Sequence, residues 1–187
     1  MLLLLAACGA RNKFINPTGT SVAAKTVTGP PVGMDAVWIL ERSGASPPDT
    51  TVTFRARAGR TIVMRHEAPD NAIFAILEVP PGAAVPKSGD RVTLRLAPSA
   101  GRYGVALETT DSLGTGIRLT FSYATHFQEP SQATGKYPTP GQFEQATAAA
   151  HLSGNNQLQF VASERPAADM IRFPVTAAGV WLLAARR

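Results

Sequence analysis

The sequence predicts an all-β protein, an antiparallel β-sandwich preceded by an N-terminal tether. Three observations predict the fold class. Short stretches of alternating apolar and polar residues recur along most of the chain, the period-two signature of half-buried strands. Clusters of turn-forming residues separate them, among them Ser46-Pro47-Pro48-Asp49, Pro80-Pro81-Gly82 and Ser88-Gly89-Asp90. Glycine and proline together are abundant, 16 and 15 residues of 187, which disfavours long helices.

The elements follow in order. Ala36–Leu40 is a short apolar strand, and Thr51–Arg57 alternates cleanly, with Val52, Phe54 and Ala56 on one face and Thr53, Arg55 and Arg57 on the other. Thr61–Arg65 follows after Ala58-Gly59-Arg60, and Ala72–Val79 is apolar at nearly every position, the pattern of a strand covered on both faces. Arg91–Leu96 sets Val92, Leu94 and Leu96 against Arg91, Thr93 and Arg95. Tyr103, Val105 and Leu107 form one further face, and Ile117, Leu119, Phe121 and Tyr123 another, opposed by Arg118, Thr120 and Ser122. Gln142–His151 would tolerate a helical turn through its alanines but reads as strand, and Leu158–Ala162 and Val180–Ala184 complete the set. The predicted core comprises Phe54, Ile76, Leu94, Leu107, Leu119 and Phe121. A chain of 187 residues with a mean hydropathy of zero is enough for one domain with a real core. It holds no apolar run near the ~20 residues a membrane-spanning helix needs.

Met1 to Cys8 is an apolar run that closes on two alanines and the only cysteine of the chain. A lone cysteine excludes an internal disulfide framework and any site built from several thiolates. Leu5-Ala6-Ala7-Cys8 resembles the lipobox of bacterial lipoproteins. The resemblance implies diacylglyceryl transfer to the Cys8 thiol, cleavage before it and acylation (palmitate or similar) of the new amine. Several acyl chains, at about 0.8 kcal/mol per buried methylene, hold a protein on a membrane essentially permanently. Residues 1–7 are then a signal-peptide remnant that lacks the usual basic segment, which implies a start further upstream. Residues 8–34 are the lipidated cysteine and a flexible tether rich in small and helix-breaking residues, and 35–187 the β-sandwich. By resemblance to diderm lipoproteins, in which an aspartate at this position signals retention, Gly9 implies the outer membrane as the destination within the cell envelope.

Leu77-Glu78-Val79-Pro80-Pro81-Gly82-Ala83 resembles the signature of the zonula-occludens/netrin-receptor type β domain of ankyrins and netrin receptors. The likeness extends over about 50 residues through Arg91–Leu96, Pro98, Tyr103–Glu108 and Ile117–Tyr123, and it implies a folding and contact module without catalytic residues.

The search for chemistry in the residues themselves is mostly negative. No serine sits in a nucleophile elbow, and Gly114-Thr115-Gly116 lacks the lysine and the following helix of a phosphate loop. The three histidines, His66, His126 and His151, lack the spacing of a helical zinc motif; a metal site would need His66 and His126 to converge with Asp70 or Glu129. No metal, cofactor or catalytic residue is therefore predicted. The net charge is +5 and the pI near 9.9, but no nucleic-acid motif accompanies the basic residues. Two candidate binding surfaces remain. Arg55, Arg57, Arg91, Arg95 and Arg118 would form a basic face if their strands are neighbours, and Tyr137, in the long Pro/Gly-containing segment Ala124–Gln142, would mark a contact loop. The leading expectation is a lipid-anchored envelope protein, not an enzyme, whose β domain binds an envelope glycan or another envelope protein or serves a structural role. Two alternatives stand beside it. One is a secreted hydrolase of envelope or extracellular polysaccharide, built on a carboxylate pair; the other is a basic polyanion-binding module.

Overall fold

The computed structural model describes residues 29–187, so the expected lipidation site Cys8 and most of the tether lie outside the described residues. Sixteen strands follow in chain order: β1 (Val32–Gly33), β2 (Val37–Ile39), β3 (Glu41–Arg42), β4 (Thr50–Arg55), β5 (Arg60–Arg65), β6 (Ile73–Val79), β7 (Ala84–Val85) and β8 (Arg91–Pro98). They continue with β9 (Gly104–Glu108), β10 (Ser112–Leu113), β11 (Arg118–Ser122), β12 (Phe127–Gln128), β13 (Ala148–Leu152), β14 (Gln157–Phe160), β15 (Met170–Pro174) and β16 (Gly179–Arg186). One short α-helix, α1 (Pro140–Ala146), precedes β13.

All pairings among these strands are antiparallel. The larger sheet runs β1-β14-β13-β16-β9-β8-β4, with β2 added beside the end of β16. The smaller runs β15-β11-β6-β5, and two ribbons, β3–β12 and β7–β10, lie outside both. The alternation read from the sequence sets the layers. Phe54, Leu94, Leu107 and Trp181 from the larger sheet and Ile62, Leu77, Leu119 and Phe173 from the smaller share one buried cluster. Rings stack through it from Phe74 and Tyr103 (centroids 4.8 Å apart) by way of Phe121 and Phe173 to Trp181. A smaller cluster on the other face of the larger sheet gathers Val37, Ala150, Leu158, Phe160 and Leu182, so β16 is apolar on both sides. Gly104 is fixed by this crowding, because a Cβ there would stand 2.6 Å from the Trp181 carbonyl and 2.4 Å from Leu182.

The fold class is the expected one, with three local departures. Ile76 is not a core residue: it pairs with Val63, which is 39% exposed, and both sit on the outward side of their hairpin. The apolar character of Ala72–Val79 therefore does not mean cover on both faces along its length. Gln142–His151 divides between α1 and β13. Pro140 is pre-organised for the first helical turn, Phe143 anchors the helix in the core, and the chain returns to extended backbone at Thr147. The predicted tether also ends earlier than residue 34, because Val32 and Gly33 pair with Leu158 and Gln157.

Candidate functional site

The arginines proposed as a basic face do not form one. Arg55 and Arg91 are opposite each other on β4 and β8, and Arg95 is opposite Thr51, so three of the five share an outward face. Arg57 lies in the turn after β4, and Arg118 belongs to β11 in the smaller sheet, where Glu78 and Pro174 flank it. The charge is also largely matched. Arg95 is clamped between Asp49 and Glu108, Arg55 approaches Asp90 at 3.5 Å, and Arg118 and Arg172 share Glu164 at 3.5 and 2.7 Å. These contacts hold the Glu164 carboxyl below the usual range and raise the Arg95 guanidinium. Tyr137 is no free loop residue either. Its ring packs edge-on against Trp38 and Phe143, and its hydroxyl donates to the Arg186 carbonyl at 2.9 Å.

The contact made by Tyr137 leads instead to a corner of the sandwich. Here β2 runs into β3, and β3 pairs with β12, so that Glu41 faces Gln128 and Arg42 faces Phe127. A cleft of about 560 Å³ opens on this corner, lined by Asp35, Trp38, Glu41, Arg102, Pro130 and Arg187 among others. Trp38 is half-buried. The Arg187 guanidinium lies 5.5 Å from its ring centre, and its buried indole N–H has no partner among the described residues. Two acids and two arginines around one indole make a mouth of mixed sign, suited to a polar ligand that carries both charges.

Behind the β3–β12 ribbon lies a cluster that chain order does not suggest. His66, 4% exposed at the end of β5, packs its ring 4.4 Å from that of His126 and 5.5 Å from that of Phe74. Asp70, four residues past His66, hydrogen-bonds His126 Nε2. His126 has left-handed backbone (φ 58°), and Gly44 opposite it is also left-handed (φ 75°). A Cβ on Gly44 would lie 2.8 Å from His126 Nδ1, so glycine is required there on both counts. Arg42 donates to Ser46 Oγ at 2.7 Å, while its Nε is buried without an acceptor. Burial lowers the Arg42 and His66 pKa values, and the second imidazole adds to the effect on His66. The bond from His126 holds the Asp70 carboxyl low. Burial pushes Glu129 up, with Glu144 adding to it, and one Glu129 carboxylate oxygen is buried without a donor.

The structure thus brings His66, His126 and Asp70 together, three of the four side chains named for a conditional metal site. Among the described residues no group of three or more His, Cys, Asp and Glu side chains is placed to hold a metal ion. Trp38, within the predicted strand Ala36–Leu40, borders the cleft, whereas the strand aromatics Tyr103, Tyr123 and Trp181 are buried. Arg42, Arg102 and Arg187 carried no sequence signal that distinguished them from other surface arginines. No protein-family model, curated protein or solved structure matches this chain.

Proposed function

We propose that this protein is a cell-envelope lipoprotein, anchored through Cys8, whose β-sandwich binds an envelope glycan without chemical turnover. The anchor rests on Leu5-Ala6-Ala7-Cys8. The binding role rests on one observation, the cleft at Trp38 with Asp35, Glu41, Arg102 and Arg187 around it. An indole offers a flat face for a sugar ring, and the charged side chains around it can bond the ring's hydroxyls. The mixed charge favours a glycan that bears both carboxylates and amines, such as peptidoglycan with its stem peptides, over a purely anionic polymer. Of the three arginines on the β4–β8 face, Arg55 and Arg95 are ion-paired, which leaves that face less to offer a polyanion.

Two experiments test this reading. With a full signal sequence restored, wild type is expected in the detergent phase and Cys8→Ser in the aqueous phase; equal partitioning removes the anchor. Purified peptidoglycan sacculi should sediment wild type but not Trp38→Ala or Arg102→Glu, and equal sedimentation of all three removes the cleft. A second reading, a polysaccharide hydrolase, is favoured only by Glu129, whose raised carboxyl lies near Glu144 and directly precedes Pro130 of the cleft. Release of soluble fragments from sacculi by wild type but not Glu129→Gln would replace binding with catalysis.

A further inference from the structure

We propose that His66 and His126 form an acid-sensitive clasp that holds the loop from His66 to Ala72 against the β3–β12 ribbon and releases it when His66 takes up a proton. The clasp joins segments far apart in the chain. The Ser43 amide donates to the His126 carbonyl at 2.8 Å, the His66 amide to Ala72 at 2.9 Å, and Asp70 reaches across to His126. Between these anchor points the contact is the two imidazoles themselves, 4.4 Å apart.

The groups that face His66 are few. Phe74 from β6 presents a ring edge, the Ala45 carbonyl faces the imidazole, and Arg42 from β3 and His126 bring positive charge or the capacity for it. Among the described residues Asp70 is the only acid acting on His66, and its carboxylate is already bonded to His126. His66 Nε2 is buried and has no partner among the described residues. A proton placed there creates a buried N–H without an acceptor among the described residues, on a ring 4.4 Å from a second imidazole and repelled by the Arg42 charge. The Asp70 carboxylate and the Ala45 carbonyl offset part of this cost, and letting water in, which means separating the loop from the ribbon, relieves the rest.

The sign follows from burial. The folded state keeps His66 neutral more strongly than the unfolded chain does, since burial and then His126 lower its pKa from 6.5. The unfolded or opened state therefore binds the extra proton between the two values, and the closed clasp weakens as pH falls below about 6.5. The carboxylate bond works in the same direction at more acid pH, because the lowered Asp70 pKa means that its contribution is lost last. The clasp does not depend on what the cleft binds. The ribbon it grips continues on one strand from Trp38 and on the other into Pro130, so both walls of the cleft are attached to it.

Hydrogen–deuterium exchange of the full chain, at pH 7.5 and 5.0 with labelling times scaled to the intrinsic rate, tests the proposal. Peptides covering residues 66–72 and 124–128 should lose at least tenfold in protection at pH 5.0, while β8 peptides change less than twofold. His66→Phe should abolish the difference. His66→Gln, which keeps a polar side chain that does not titrate, should do the same if the larger ring does not fit. Equal scaled protection at the two pH values in wild type, or an acid step that survives in the folded variants, would overturn the clasp.

Discussion

The β4–β8 face and the β3–β12 corner belong to the same sandwich and treat charge in opposite ways. On the face, Arg55, Arg91 and Arg95 stand in solvent, and Asp90, Asp49 and Glu108 meet two of them. Thr53 and Thr93 complete the row with hydroxyls 2.8 Å apart. Such pairs are made in water, lose side-chain entropy and are screened by salt, so they contribute little to stability and leave little charge for a partner. At the corner, Trp38, Arg42 and His66 each carry a buried nitrogen without a partner. Polar groups are expensive to bury in that state, and the expense is concentrated in one place. A face with most of its charges matched keeps the sheet soluble, whereas a corner with unmet hydrogen-bonding capacity is where a ligand or a proton has something to gain.

Substitutions in the two regions should separate them sharply. The largest effect lies under the face: Leu94→Ala on β8, fully buried, should destabilise by about 2–5 kcal/mol in urea unfolding. Next comes Tyr103→Phe behind the corner. It removes the buried hydroxyl that donates to the Ser122 carbonyl and should cost about 1–3 kcal/mol. His66→Phe should act in the other direction at low pH. It should be more stable than wild type to urea at pH 5 by roughly 1 kcal/mol, and the gain should shrink as pH rises toward 6.5 and vanish well above it, where His66 is neutral in the folded and unfolded chains alike. Arg95→Ala should produce the smallest change, an unfolding midpoint equal to wild type within error despite the loss of two ion-pair contacts. A large loss for Arg95→Ala, or none for Tyr103→Phe, would dissolve the distinction between the two regions.

The face and the corner also differ in how far the sequence revealed them. Alternation within one strand is a local property, so Arg91–Leu96 announced both its buried leucines and its outward arginines, and the core assignments of Phe54, Leu94, Leu107, Leu119 and Phe121 follow from the same rule. Ile76 failed because an apolar residue on a hairpin's outer side reads like one on the inner side. Which strands become neighbours is not a local property. Arg118 was grouped with Arg55 by its alternation, yet its strand lies in the other sheet. The corner takes Trp38, Arg42, His66, Arg102, His126 and Arg187 from segments across most of the described chain, and nothing in the spacing of those residues announces their meeting. The sequence showed only that His66, Asp70 and His126 would matter if they converged.

The most direct test of the corner as a binding site uses Trp38 as its own reporter. The chain has two tryptophans, and in a Trp181→Phe background only Trp38 emits. Titration with a soluble disaccharide-peptide fragment of peptidoglycan should change its emission saturably, and Arg102→Glu should weaken the response at least tenfold. An emission spectrum unmoved through millimolar fragment, from a protein that remains folded, would contradict a glycan site at the Trp38 cleft.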